Sequence, residues 1–238
     1  MATTHLTRTT SGSPTLSTKC TFSTWIKFSE APTGDASDRW LFGEHDNSSN
    51  HSYLYLRNSS AIGWYETTSG TILSKITNKL FRDINAWYHI QVIMDTTDST
   101  AEDRWKLYVN GERITSWSTN SPSSYSSGYS PRVNVTGKNI YIGGVPSYQT
   151  HFNGLMSHTH FCDGTALAPT VFGSTDSTTG EWKITTSPTF TAGNNGFTIL
   201  KDGNTITDQS SNSNNFTVGA GTLTKSEDNP SNVFATLN

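Results

Sequence analysis

Two predicted strands and a tight turn lie within the stretch WYHIQVIMD (87–95) and RWKLYVNGERIT (104–115). In the first segment, apolar or aromatic residues at 88, 90, 92 and 94 alternate with mostly polar ones, which is the two-residue period of a strand with one buried face. The second segment alternates in the same way from Trp105 to Val109 and then reaches Asn110-Gly111. Asn-Gly accepts positive φ at both central positions of a type I′ turn. The stretch therefore predicts paired strands that belong to a larger sheet.

Short strand patterns separated by turn residues continue on both sides of this stretch. They lie at 20–28, 40–43, 53–57, 61–66, 139–144 and 155–162, with a mixed pattern at 72–81 and weaker strands at 181–184, 197–200 and 215–218. No window sustains a 3.6-residue period, and residues 163–172 hold the one candidate for a helical turn. This pattern predicts an all-β fold: a two-sheet antiparallel jelly-roll sandwich with at most one or two short helical turns.

The strand pattern weakens after Gly173. We expect residues 1–173 to form the sandwich core, and residues 174–238 to form a C-terminal extension of short strands and a tail on the same domain. The irregular stretch 118–136 predicts a functional or mobile loop, because structureless segments of this length are uncommon in compact domains. The tail from Asp228 is predicted to be an arm ordered by a neighbouring subunit.

Charge and composition narrow the function. Charged residues make up 15% of the chain and the net charge is −3, so there is no basic footprint for nucleic acid or an anionic membrane. No apolar run is long enough to cross a membrane, and no apolar segment follows Met1, so we expect no signal peptide. Cys20 and Cys162 allow at most one disulfide. Buried free thiols are favoured, with a bridge between neighbouring strands as the alternative.

Several short motifs occur in an order that resembles a known family. They are Trp25-Ile26-Lys27, Trp87-Tyr88-His89-Ile90, Asp95-Thr96-Thr97, 104–111, Tyr141-Ile142-Gly143, Phe152-Asn153-Gly154, 163–167 and Phe172-Gly173. Together they resemble the laminin-G-like branch of the concanavalin A-like lectin/glucanase superfamily. With the later Gly180-Glu181-Trp182, 194–197 and 228–238, they are similar to domains in structural proteins of marine bacteriophages. The resemblance leads us to expect an acidic residue in place of His158 and an aliphatic one in place of Cys162.

The resemblance implies a jelly roll that binds glycans or protein partners. In phages it implies a capsid decoration, tail fibre or spike on the outer surface of the virion, made in the host cytoplasm. We therefore expect a non-enzymatic homo-oligomer that contacts other virion proteins and host surface glycans. The alternative is a free-standing carbohydrate-binding module of a secreted or surface protein, and the third hypothesis is a glycoside hydrolase.

The carboxylates argue against the hydrolase. Glucanases of the superfamily carry Glu-x-Asp-x-x-Glu on one strand, which supplies an acid and a nucleophile on the same face. This chain has no such string, and Glu66, Glu102, Glu112 and Glu181 stand isolated as predicted solvated charges. We expect no enzyme activity.

Aromatic residues in loops and strand ends are the candidates for ligand contact. Flat rings flanked by amides suit sugars, and they are equally typical of protein interfaces. The candidates are Trp64, Tyr65, Trp117, Tyr125, Tyr129, Tyr148 and Asn153. The alternative for Trp64 is a place in the core, and for the loop tyrosines a contact with a neighbouring subunit.

Two groups have the residue types of a metal site. His158, His160 and Cys162 alternate along one strand, which would project them from one face toward zinc or copper. Asp95, Asp98, Glu102 and Asp103 crowd one loop, where carboxylates suit calcium. For the first group we favour a core cysteine with sheet-lining histidines, and for the second a solvated loop. We therefore expect no cofactor, with calcium as the exception.

Overall fold

The computed structural model describes residues 3–29, 38–146, 151–201, 203 and 205–231. Its strands are β1 (His5–Thr9), β2 (Lys19–Phe28), β3 (Arg39–Asn47), β4 (Asn50–Leu56), β5 (Ala61–Thr68), β6 (Thr71–Leu80), β7 (Tyr88–Asp95), β8 (Trp105–Val109), β9 (Glu112–Arg113), β10 (Trp117–Asn120), β11 (Asn139–Ile142), β12 (Gly154–Asp163), β13 (Gly173–Thr175), β14 (Trp182–Ile184), β15 (Phe197–Ile199) and β16 (Thr217–Ala220). The predicted Asn110-Gly111 turn joins β8 to β9, and both residues have positive φ.

Two antiparallel sheets form the sandwich. The eight-stranded sheet has the order β10-β6-β5-β4-β3-β11-β1-β16, and the six-stranded sheet has the order β15-β12-β2-β7-β8-β9. Strands β13 and β14 pair separately. The late strands β15 and β16 extend one sheet each, so the C-terminal segment contributes to both. The structure confirms the predicted all-β, two-sheet jelly-roll fold.

Side chains from the facing sides of the two sheets fill the core. On β2, Cys20, Phe22 and Ile26 point inward, as the alternation predicts. The rings of Phe22 and Phe42 join the two sheets in a stack with centroids 4.0 Å apart. Burial of this continuous apolar layer is the main driving force for the fold.

Some element predictions need correction. The mixed pattern at 72–81 belongs to the single strand β6. It was obscured because buried Lys75 and Thr77 face inward with Leu73. The first part of the irregular stretch 118–136 belongs to β10. The described residues contain three 3₁₀ turns, at Ala101–Arg104, Arg132–Asn134 and Pro169–Val171, one more than expected.

The two cysteines are free and buried, which confirms the favoured prediction. They lie on adjacent strands, but Cys162 pairs with Thr21, and Cys20 pairs with Asp163. Neighbouring positions on a strand point to opposite faces, so Cys20 faces the core and Cys162 faces outward. Burial raises the pKa of both thiols, that of Cys162 to about 11.

The C-terminal segment covers the outer face of the six-stranded sheet. Trp182 Nε1 donates to His89 Nδ1 at 3.1 Å, and His89 Nε2 lies 2.8 Å from Ser23 Oγ. Trp25 stacks on the same imidazole ring. We call this layer the covered face; it comprises Ser23, Trp25, His89, His160, Phe172 and Trp182. No helix in the described part of the chain has the length and apolar character to cross a membrane.

Candidate functional site

Aromatic and neutral polar side chains form the central rows of the outer face of the eight-stranded sheet. Strand register aligns its outward residues in three cross-strand rows. The rows are Ser74-Tyr65-Tyr53-Gly43-Tyr141-Thr7-Thr217, then Ile76-Gly63-Tyr55-Trp40, and then Thr71-Thr67-His51-His45. None of these side chains carries a fixed charge. The intervening residues, such as Leu54 and Trp64, point into the core.

Six of these residues form the outer aromatic cluster: Trp40, His45, His51, Tyr53, Tyr55 and Tyr65. Trp40 and Tyr53 stack with centroids 4.1 Å apart and planes within 7°. The ring centroid of Tyr53 lies 4.9 Å from that of Tyr55 and 5.9 Å from that of Tyr65, and the centroids of His51 and Tyr65 are 5.7 Å apart. Tyr53 and Tyr65 are partly exposed, whereas the other four are buried. The buried rings therefore fix the orientation of two accessible ones.

A glycine provides the space for this packing. A Cβ atom at Gly63 would lie 2.2 Å from Tyr55 Cζ. The Tyr55 ring therefore lies directly on the backbone of β5, because position 63 has no side chain. Burial also lowers the pKa of His45 and His51, which disfavours the charged form of both imidazoles within the cluster.

The face continues toward β16 as a shallow polar cleft of about 630 Å³. Partly exposed Tyr141 borders it, 6.1 Å from the His5 ring. Amide and hydroxyl side chains line most of the rest, among them Asn139, Asn214 and Asn215. The buried guanidinium of Arg8 also borders the cleft, where it donates to Asn214 Oδ1 and to the Asn195 carbonyl. Aromatic rings beside neutral hydrogen-bonding groups are the combination that fixes polar ligands with an apolar face.

Among the predicted contact residues that the structure describes, Tyr65 alone belongs to this face. Trp64 and Tyr125 are 0% and 1% exposed, so neither ring offers a face to a ligand. Trp64 Nε1 donates to Tyr125 Oη at 3.0 Å, and Tyr125 Oη donates to Glu66 Oε2 at 2.7 Å. Tyr129 Oη donates to Glu66 Oε1 at 2.6 Å.

Glu66 is therefore a buried anchor rather than the solvated carboxylate expected. The Arg132 backbone also donates to it, and the Arg132 guanidinium binds Glu44 through two bonds of 2.6 and 2.9 Å. Burial raises the pKa of Glu66 to about 7, although the tyrosine hydrogen bonds act in the opposite direction. The stretch between β10 and β11 is thus held to the sandwich. Sequence reasoning missed this network because an isolated Glu in a strand resembles a surface charge.

The remaining predicted contacts lie elsewhere. Trp117 is half-buried, edge-to-face with Trp105 at 5.7 Å, and Lys75 Nζ lies 4.8 Å from its centroid. Asn153 is exposed at the end of the sandwich. Tyr148 lies outside the described residues.

Neither predicted metal group assembles. The β2–β12 register breaks between Ser157 and His160; His160 Nδ1 lies 3.0 Å from Thr198 Oγ1, and Cys162 Sγ donates to the Thr191 carbonyl.

In the acidic loop, Asp95 binds Lys19 at 2.6 Å, Asp98 accepts the Thr100 N–H, and Asp103 pairs with Arg113. Within the described ranges, no three His, Cys, Asp or Glu side chains come together as metal ligands.

Comparison with known proteins identifies the family. A profile described as the concanavalin A-like lectin/glucanases superfamily matches residues 2–172. The chain belongs to this superfamily. A search of curated proteins gave no match.

Solved structures of proteins from several organisms are similar to this chain. A carbohydrate-binding candidate from Bacteroides ovatus has 14% identity and a TM-score of 0.58, over 94% of this chain and 58% of that one. A heptameric SAP-like pentraxin from Limulus polyphemus has 15% identity and a TM-score of 0.47, over 69% and 71% of the two chains. The CBM40 module of the Ruminococcus gnavus IT-sialidase has 15% identity and a TM-score of 0.43, over 68% and 90%. This chain thus spans little more than half the length of the Bacteroides protein.

Proposed function

We propose that this lectin-fold domain is a non-catalytic glycan-binding module whose ligand lies on the outer aromatic cluster and Tyr141. The observation that carries the proposal is the aromatic outer face, on which Tyr53, Tyr65 and Tyr141 are held partly exposed in one cross-strand row of neutral side chains. Sugar rings present apolar C–H faces and hydroxyl edges. The tyrosine rings would pack on the first, and the amides beside Tyr141 would bond the second. A neutral glycan suits this face because no charged side chain lies in its rows.

The same geometry supports binding without hydrolysis. Glycoside hydrolysis uses two carboxyl groups that flank the scissile bond. Glu44 and Glu66 are fully buried on the inward side of β3 and β5, where Arg132, Tyr125 and Tyr129 occupy their oxygens. The three outward rows contain no carboxylate. The fold similarity to the carbohydrate-binding candidate from Bacteroides ovatus is consistent with this proposal.

A glycan array with matched variants tests the proposed function. Tyr65→Ala and Tyr141→Ala should each weaken binding about tenfold or more, because each removes a contact ring from the surface. Tyr108→Ala is the control, since Tyr108 is a partly exposed tyrosine on β8 of the other sheet. Equal affinity in all four proteins, or no glycan bound at all, would contradict the proposal. Loss of binding only in Tyr108→Ala would move the site to the other sheet.

We also propose that the domain sits on the outer surface of a bacteriophage particle, as a capsid decoration, tail fibre or spike module in homo-oligomeric form. The ordered motifs quoted above support this placement. Immunogold labelling of intact particles tests it: regular labelling of heads or tails is expected. A protein found only free or on cell surfaces would instead favour the free-standing carbohydrate-binding module.

A further inference from the structure

A cleft of about 530 Å³ opens at the end of the sandwich, well apart in sequence from the outer aromatic cluster. One wall is the start of β12, and the other is the segment 222–231. Its floor includes the apolar side chains of Leu6, Phe152 and Met156, and its rim carries polar side chains. The volume falls within the range of roughly 300–1,000 Å³ that is typical of small-molecule sites.

The wall formed by segment 222–231 is fixed by one carboxylate. Asp228 Oδ1 accepts the Trp87 Nε1–H at 2.9 Å, and Asp228 Oδ2 binds Lys27 Nζ at 2.7 Å. These bonds hold the half-buried Trp87 at the cleft and neutralise the charge of Asp228. The chain is thus bound to its own domain at Asp228, the first residue of the predicted arm, and residues 232–238 of that arm lie outside the described residues.

Two residues of the cleft have strained backbone. His158 has φ 48° and Leu200 has φ 57°, and the His158 N–H donates to the Leu200 carbonyl at 2.9 Å. A bulky residue rarely adopts this left-handed conformation, and such strain concentrates at functional sites. Here the turn at Leu200 ends β15 and brings the next residue, Lys201, to the cleft.

Lys201 borders this cleft and the neighbouring one that contains His160, and among the described residues it has no carboxylate partner. The two other lysines beside the cleft have partners, since Lys27 binds Asp228 and Lys225 lies 3.1 Å from Glu227. Among the described residues, no carboxylate is within 4.0 Å of Lys201 Nζ, although the side chain is half-buried. A cation above an apolar floor calls for an anionic group on a ligand that also has an apolar face.

We infer that this cleft is a second binding site, which takes a small saccharide that carries a carboxylate, as a uronic acid does. The carboxylate would pair with Lys201. The apolar face of the sugar would pack on Trp87 and Met156, and its hydroxyls would bond the rim amides of Asn153 and Asn229. This cleft shares His5 with the cleft beside Tyr141, and the proposed site differs from the outer aromatic cluster in its lining and in the ligand charge that it selects.

Titration with sodium D-glucuronate, with its neutral methyl ester as matched ligand, tests this site by NMR chemical shifts at low salt. We expect the wild-type protein to bind glucuronate about fivefold more tightly than the ester, the size of a partly exposed ion pair. Lys201→Gln should abolish this preference. Lys106→Gln, which removes a partly exposed lysine from β8, should keep it. Because an exposed pair is screened, added salt should also remove the preference.

The result that overturns the inference is absence of saturable glucuronate binding, equal affinity for the ester, or a preference that survives Lys201→Gln. Tyr65→Ala separates this site from the outer aromatic cluster. That variant should lose neutral glycan on the array while its glucuronate shifts stay unchanged. Loss of both ligands in Tyr65→Ala would place them on one surface and remove the second site.

Discussion

The two sheets of the sandwich carry similar chemistry on their outer faces and use it differently. Each outer face has tryptophan and tyrosine or phenylalanine rings packed with two histidines. On the six-stranded sheet, Trp182 and Phe172 close over His89 and His160, which become 0% and 2% exposed. On the eight-stranded sheet, the outer aromatic cluster leaves Tyr53 and Tyr65 partly exposed.

The difference shows that composition alone does not distinguish a second core from a binding surface. The two cases differ in whether a later segment of the same chain packs over the aromatic face. Residues after Gly164 return across the six-stranded sheet, and the Leu167 carbonyl accepts a hydrogen bond from Gln91 there. Both ring nitrogens of His89 bond within the protein, to Trp182 and Ser23, and His160 Nδ1 lies 3.0 Å from Thr198 Oγ1.

Acidification should affect the covered face most. Burial lowers the pKa of His89 and of His160 to about 3, against about 6.5 in the unfolded chain. These histidines are neutral in the folded protein. Their burial therefore costs no unfolding free energy above pH 6.5, and the protein loses unfolding free energy as the pH falls from 6.5 toward 3. The loss is on the order of several kcal/mol of unfolding free energy. Urea denaturation between pH 7 and 4 should show a steep fall in stability.

Glu66 has the opposite effect on the pH dependence of stability and provides the control. Its pKa rises from 4.5 to about 7 on folding, so its protonation stabilises the fold as the pH falls through that interval. Glu66→Gln removes this opposing contribution, and the fall in stability between pH 7 and 4.5 should become steeper. His160→Gln should make it shallower. A stability curve that is flat from pH 7 to 4 would show that the histidines of the covered face are not buried as described.

Truncation of one ring on each outer face should show that the two faces differ in their contribution to stability. Trp182→Ala deletes the ring that bonds and stacks on His89, and we expect a loss of about 3 kcal/mol of unfolding free energy, in the range for large aromatic truncations. Tyr65→Ala on the open face should cost only about 1 kcal/mol because its ring is partly exposed. Denaturant midpoints at pH 7 measure both. Equal losses would mean that the open face is as structural as the covered one.

Glycines beneath the rings provide a finer comparison. A Cβ at Gly63 would lie 2.2 Å from Tyr55 Cζ, and one at Gly173 would lie 2.6 Å from Trp182 Cε2. Gly63→Ala and Gly173→Ala should therefore each cost about 1–3 kcal/mol, because the ring must move. Gly70→Ala is the control, since a Cβ at that position would have no neighbour within 4 Å, and its thermal midpoint should stay close to that of the wild type. A destabilised Gly70→Ala would show that loss of glycine itself, and not ring displacement, is responsible.

The sequence was informative where one face of a strand alternated cleanly with the other. Strands β2, β7 and β8, and the Asn110-Gly111 turn, follow from local pattern because their inward residues are apolar. The pattern was ambiguous on β6 and gave the wrong environment for Glu66 on β5, because Lys75 and Glu66 point inward and bond to residues some 45 to 66 positions away. Local sequence carries no record of such partners.

The candidate surface was only partly predictable for the same reason. Tyr65 was found because its ring is prominent in a strand, but Tyr53, Trp40 and Tyr141 join it through the strand register. Alternation of Tyr53 and Tyr55 with Ser52 and Leu54 was a usable signal, since it predicts tyrosines on the face opposite the core. Loop aromatics such as Tyr125 were selected instead, and the buried Glu66 carboxylate holds that residue inside.

The smallest predicted effect distinguishes what the Tyr65 ring and its hydroxyl do. Tyr65 Oη lies 3.2 Å from Thr71 Oγ1 in an exposed contact, so Tyr65→Phe should change the unfolding free energy by less than about 0.5 kcal/mol. If the ring face contacts the glycan, affinity should also change little in Tyr65→Phe, whereas Tyr65→Ala should lose most of it. Array binding of the two variants beside Thr71→Val, which removes the hydroxyl partner alone, separates the two contributions. A tenfold loss in Tyr65→Phe with normal binding by Thr71→Val would assign recognition to the tyrosine hydroxyl, and the open face would then select its ligand by hydrogen bonding rather than by ring contact.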